Sequence, residues 1–122
     1  MIEVKDVIAI HDSLIATYGG SYGIRDNNLL HSIVACIDQS FDGKELYPTT
    51  IEKICRLYYM FVTNQVFVDG NKRTATAVAL VLMIKNTIQI PIEFKKDTYK
   101  LALTVANKKI GYEDLVRMFD KG

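Results

Sequence analysis

Gln65-Val66-Phe67-Val68-Asp69-Gly70-Asn71-Lys72-Arg73-Thr74 sets a carboxylate, a turn glycine and two cations just ahead of an apolar run that reaches Ile84. Residues of these types in this order describe a loop that opens a helix onto an anion. Gly70 admits backbone angles that a side chain forbids, so successive amide N–H groups can converge on a phosphate. The helix beginning near Asn71 adds its positive end at the same point, where Lys72 and Arg73 bring full charges and Thr74 a hydroxyl. Cations at a helix start oppose the dipole unless an anion sits between them, a local conflict that points to bound phosphate. Asp69, on the near side of the turn, is set to hold a divalent metal. A hard oxygen ligand beside a phosphate cradle suits magnesium better than zinc.

Outward from this stretch the chain reads as helices. Upstream, Ile51, Ile54, Cys55, Tyr58, Phe61, Val62 and then Gln65 follow one helical face, so Gln65 is expected to end an inward stripe and point into a cleft. Downstream, Ala75 to Ile84 is apolar at every position but Thr76, the mark of a helix buried on nearly all sides. Ile88-Gln89-Ile90-Pro91-Ile92 alternates like a short extended segment. Asp97 opens a further helix through Leu101, Leu103 and Val105, and Glu113 to Phe119 forms the last one. At the amino-terminal end Val4, Val7, Ile8, His11 and Ile15 recur at helical spacing up to Gly19-Gly20, and Asp26 caps a helix carrying Leu29, Leu30, Ile33, Val34 and Ile37. Asp42-Gly43 is a turn signal. The expectation is an all-α bundle of about six helices with a small flap or short extended segment.

The decade at 65–74 resembles the signature of the Fic/Doc superfamily, His-x-Phe-x-(Asp/Asn)-(Gly/Ala)-Asn-x-(Arg/Lys), through Phe67, Asp69, Gly70, Asn71 and Arg73. Ile10-His11-Asp12, Gly19-Gly20, Gly23-Ile24-Arg25-Asp26 and Glu45-Leu46-Tyr47-Pro48 look like landmarks of its Doc (death on curing) branch. The resemblance covers nearly the whole chain and implies a single domain over residues 1–122. It also implies that the region between Phe41 and Pro48 forms a flap holding a target segment by backbone pairing, although a plain surface loop reads equally well there.

One position departs from the family pattern. Where the signature has its histidine, the general base that takes a proton from the attacking hydroxyl, this chain has Gln65. An amide does not titrate near neutral pH, so the chemical step should be slower by a factor of about 10²–10⁴. The change resembles a deliberate disabling one, because an active toxin of this branch would injure its host and because Asp69, Asn71, Lys72 and Arg73 are all kept. A natural pseudoenzyme is the other explanation.

Lys72 bears on the chemistry that the resemblance implies. Adenylylating members have glycine there. Doc-like members have lysine, bind ATP in the reversed orientation and transfer its γ-phosphate to a threonine of translation elongation factor Tu. On this reading Gln65, Asp69, Lys72 and Arg73 are the catalytic positions, Gly70, Asn71, Lys72, Arg73 and Thr74 bind phosphate, Asp69 holds Mg²⁺, and the cofactors are ATP and Mg²⁺. Adenylyl transfer is the alternative, and a non-catalytic module binding nucleotide or antitoxin is a third. The inhibitory (Ser/Thr)-x-x-x-Glu-(Gly/Asn) pattern of many Fic proteins does not occur in this chain. The implied control is a separate antitoxin whose tail folds as a helix into a groove of the toxin.

Composition excludes several other classes. The net charge of +1 gives no footprint for direct nucleic-acid binding or for anionic membranes. The apolar run after Thr74 is too short for a bilayer, which takes about 20 residues. The amino terminus reads as no export signal, and Cys36 and Cys55 read as reduced core thiols, all consistent with the cytoplasm. His11 reads as a hydrogen-bonded core residue and His31 as a partly exposed helix residue, too few for a zinc site.

Overall fold

The computed structural model describes residues 1–120. Its helices are α1 (Val4–Tyr18), α2 (Asn27–Cys36), α3 (Thr50–Thr63), α4 (Asn71–Lys85), α5 (Glu93–Lys96), α6 (Thr98–Ala106) and α7 (Tyr112–Asp120). Between α2 and α3 lies an antiparallel hairpin, β1 (Ser40–Phe41) and β2 (Lys44–Glu45), in the register Ser40↔Glu45 and Phe41↔Lys44. The architecture is the expected all-α one with a small flap. Among the described residues there are seven helices where about six were expected, because α5, a single turn, precedes α6.

The helix starts follow capping chemistry. Asp26 accepts from the Leu29 amide at 3.0 Å, Thr49 from Glu52 at 3.1 Å and Asp97 from Lys100 at 2.9 Å, each satisfying an N–H that a helix leaves free. At Gly19 the chain turns to φ +89° and α1 stops.

Helix α4 packs most extensively on α3 and next on α1. Its Thr74, Ala75, Val78, Ala79, Leu82 and Met83 are buried, and only Ile84 of the apolar run is widely exposed. Against it lie Leu57, Tyr58 and Phe61 of α3 and Leu101, Ala102 and Val105 of α6, and Leu115 of α7, which packs on α3, belongs to the same continuous core. The long apolar run is therefore the central helix of the bundle. Burial pushes the Tyr58 phenol well above its ordinary range and the Cys55 thiol up to about 12, because the charged forms lose their hydration.

Two local expectations change. Ile88 to Ile92 joins no sheet: the Ile88 amide donates to the Met83 carbonyl at 2.9 Å and closes the end of α4. The alternation is real, since Ile88 and Ile90 pack on the core while Gln89 is exposed, but no strand is alongside to pair with. Nor does Gln65 continue the face of α3. The helix ends at Thr63, where Asn64 turns extended and its side-chain amide donates to the Met60 carbonyl at 2.9 Å. Gln65 is exposed on the loop beyond. Among the described residues, no helix is long and apolar enough to cross a membrane.

Candidate functional site

The loop between α3 and α4 is held from both sides. Phe67 is 1% exposed and stacks flat on the buried His11 ring, centroids 3.9 Å apart at 8°. His11 Nε2 is 2.8 Å from the Asp69 carbonyl, which can only accept, so Nε2 is the donor. Nδ1 lies 3.0 Å from the Asp12 carboxylate. Asn71 accepts from the Phe67 amide and donates to the Phe67 carbonyl, both at 2.9 Å. On the outer side, the segment after α1 pairs with the loop. Ile24 bridges Phe67, the Arg25 and Asp26 amides donate to the Val66 carbonyl at 2.8 and 3.0 Å, and the Val68 amide donates to Gly23 at 3.0 Å.

These restraints fix the turn at Asp69-Gly70. Gly70 is left-handed, φ +77° and ψ +20°, and forms the N-cap of α4 without any side-chain cap. The amides of the first turn, at Asn71, Lys72 and Arg73, are thus left open, and the turn carries no acidic residue, the electrostatics of an anion site. Asp69 accepts from the Gly70 amide at 2.8 Å through Oδ1 and from the Ser21 amide at 3.1 Å through Oδ2. A Cβ on Gly20 would stand 2.7 Å from that Oδ2, and Gly20 sits at φ +115°. Only glycine there lets the two segments approach so closely.

A cavity of about 620 Å³ opens over this turn. Val62, Thr63 and Gln65 line one side, Val68 to Arg73 the floor, and Thr98, Tyr99, Ala102 and Ala106 of α6 the far wall. It thus joins a cationic, amide-rich end to an apolar and aromatic one, the make-up of a site for a small phosphorylated ligand. The Arg73 guanidinium rests 4.4 Å from the centre of the Tyr18 ring, a cation–π contact. Among the described residues, no three His, Cys, Asp or Glu gather into a metal-holding group. Asp69 alone fits a cation that brings its other oxygens from phosphate and water, as magnesium does.

Gln65, Asp69, Gly70, Asn71, Lys72 and Arg73 all line this one cavity. Two expected phosphate binders stand differently. Asn71 has both ends of its amide engaged with Phe67, which leaves its backbone N–H for an anion. Thr74 does not line the cavity; it is 1% exposed and its hydroxyl has no partner among the described residues. Arg25 was missed as a site residue, although it stands in the Gly23-Ile24-Arg25-Asp26 landmark: its Nη1 donates to Gln65 Oε1. The Gln65 oxygen keeps a second lone pair and its NH₂ two donors, so the side chain can hydrogen-bond in the cavity but cannot take up a proton near neutral pH. Tyr18, against Arg73, and Tyr99, in the cavity wall, carry no local sequence signal, because only the fold brings them there.

The comparisons agree with this geometry. The profile of the Fic/DOC family matches residues 1–83, which include the whole turn. Over 80 residues the chain is 35% identical to the "Toxin Doc" of Mycolicibacterium smegmatis, covering 66% of this chain and 62% of that protein. Over 90 residues it is 29% identical to the "Protein kinase doc" of Escherichia phage P1, covering 73% and 70% of the two. The chain thus spans less than two thirds of the Mycolicibacterium toxin's length. With the family profile matched from α1 into α4, and the motif residues folded into one turn, the chain belongs to the Fic/DOC family.

Proposed function

We propose that this chain is a Doc-like toxin scaffold that binds ATP with Mg²⁺ and is built to move the γ-phosphate onto a Thr or Ser hydroxyl of a translation factor, elongation factor Tu. The observation that carries this reading is the uncapped, left-handed opening of α4, with Lys72 and Arg73 in its first turn, beside position 65 in one cavity. In the reaction the hydroxyl oxygen bonds to the γ-phosphorus, the bond to the β,γ-bridging oxygen breaks, ADP leaves, and the hydroxyl proton must pass to a base. The open amides of α4 would hold the transferring group's oxygens, and Lys72 and Arg73 would offset the charge that develops on them. Asp69 would hold the magnesium, which supplies charge neutralisation when bound.

Gln65 is the step at which the chemistry stalls. Its carbonyl oxygen accepts from Arg25, and neither the oxygen nor the nitrogen of an amide is basic enough to take the proton near neutral pH. Substrate binding is retained and turnover is lost, which also suits a binding role in which the chain captures nucleotide or antitoxin. The name "Toxin Doc" of one relative supports a partner antitoxin, which on this reading engages the chain as a helix in a groove, and the chain acts in the cytoplasm. The test is transfer from ATP labelled at the α- or γ-phosphate to elongation factor Tu by the Gln65→His chain beside the unaltered one. γ-Label only with histidine supports the kinase, α-label assigns adenylyl transfer, and no label with either refutes both transfer readings.

A further inference from the structure

Arg25 and Gln65 are brought together by the backbone. The Arg25 and Asp26 amides both donate to the Val66 carbonyl, and Ile24 bridges Phe67, so the segment ahead of α2 runs beside the motif loop in a fixed register. The neighbouring Asp26 carboxylate is engaged in capping α2 through the Leu29 amide. Among the described residues Arg25 forms no ion pair. Its guanidinium is given instead to a neutral side chain, where Nη1 donates to Gln65 Oε1.

A guanidinium can only donate, so it decides which end of the amide it meets. Turning the amide of Gln65 end for end would set NH₂ against Nη1, two donors face to face. The carbonyl oxygen is thus held toward Arg25, which does not line the cavity, whereas Gln65 does. The NH₂, on the other side of the amide, is left for the cavity, where Lys72, Arg73 and the open amides of α4 lie. The Asp69 carboxylate in that lining is already engaged with the Gly70 and Ser21 amides. Where a histidine would offer a nitrogen lone pair, this glutamine adds one more N–H to a set of donors and cations.

We infer that Arg25 is a positioning residue that turns the Gln65 NH₂ into the cavity, where it donates to the terminal phosphate of a bound nucleoside triphosphate. Position 65 then retains nucleotide in place of taking a proton. The inference rests on the proposed reading of the cavity as the ATP site, with the γ-phosphate at the reacting position. A hydrogen bond made only when the third phosphate is present raises the preference of the chain for ATP over ADP.

The test is calorimetric titration of the full chain with ATP and with ADP, each in the presence of Mg²⁺. Gln65 and Arg25 are both exposed, so changing them leaves the core intact, which urea unfolding checks. Gln65→Leu keeps the bulk and removes the amide. It should weaken ATP about tenfold, the size of a lost hydrogen bond to a charged group, and ADP by no more than about twofold. Arg25→Met frees the amide to turn and should weaken ATP about three- to fivefold on its own, with no further loss when added to Gln65→Leu. In NMR spectra the Gln65 side-chain amide resonance should shift on adding ATP but not ADP, and the shift should shrink in Arg25→Met. Unchanged ATP affinity in Gln65→Leu overturns the donor role. Equal losses for ATP and ADP overturn the assignment to the terminal phosphate. A loss from Arg25→Met that persists in the Gln65→Leu chain shows that Arg25 meets phosphate itself, and overturns the positioning role. If the unaltered chain binds neither nucleotide, the proposed function fails and this inference falls with it.

Discussion

Replacing Asn71 should separate loop architecture from phosphate chemistry. The Asn71 amide is the one hydrogen-bond partner of both the Phe67 N–H and the Phe67 C=O among the described residues, at 2.9 Å each. Phe67 itself is 1% exposed, so water cannot readily take over. Asn71→Ala removes two hydrogen bonds worth about 1 kcal/mol each and strands groups whose desolvation costs about 1–3 kcal/mol. A total near 2–4 kcal/mol is expected, or a fall in Tm of roughly 6–20 °C for a domain of this size. Asn71→Asp keeps the acceptor for the Phe67 amide but sets an oxygen against the Phe67 carbonyl, and should recover less than half of the loss. Urea unfolding followed by circular dichroism gives the stabilities, and titration with a fluorescent ATP analogue gives the affinity. Both should fall together in Asn71→Ala. A stability loss below about 0.5 kcal/mol, with affinity still reduced, would show that Asn71 contacts phosphate directly and refute the staple.

Two further outcomes follow from the geometry. Gly20→Ala forces a Cβ to within 2.7 Å of Asp69 Oδ2 at a left-handed φ, so it should cost about 1–3 kcal/mol in thermal unfolding and weaken magnesium-dependent nucleotide binding more than magnesium-free binding. A thiol reagent at pH 8 should modify the half-buried Cys36 and spare Cys55 in the folded chain. Burial pushes the Cys55 thiol up to about 12, so its thiolate is scarce until the pH approaches that value; equal labelling of the two below pH 9 would contradict this.

Helix placement was legible in the sequence where caps and periodicity agree. Asp26, Gly70 and Asp97 each mark a helix start, and the run from Ala75 to Ile84, apolar but for Thr76, identified the central helix. The pattern failed at Gln65 because apolar spacing carries no record of where Asn64 turns the backbone, and at Ile88–Ile92 because alternation says which side faces the core but not whether a strand lies alongside. The glycine turn that opens α4 was readable, since its residues are consecutive. The parts that shape it were not: Ser21 and Gly20 against Asp69, Arg25 against Gln65, and Tyr99 across the cavity are meetings of distant segments that no local pattern encodes.

The ties of Asp69 to the amino-terminal region span 48 residues to Ser21 and 58 to His11, and this bears on how the protein is made. Joining segments so far apart closes a large loop, a step that comes late in folding and only after the intervening helices can hold it. A chain still emerging from the ribosome has the glycines and His11 long before it has α4. The turn at the head of α4 therefore gains its ties to Ser21 and His11 only once synthesis has passed the motif and the central helix can dock on the amino-terminal segment.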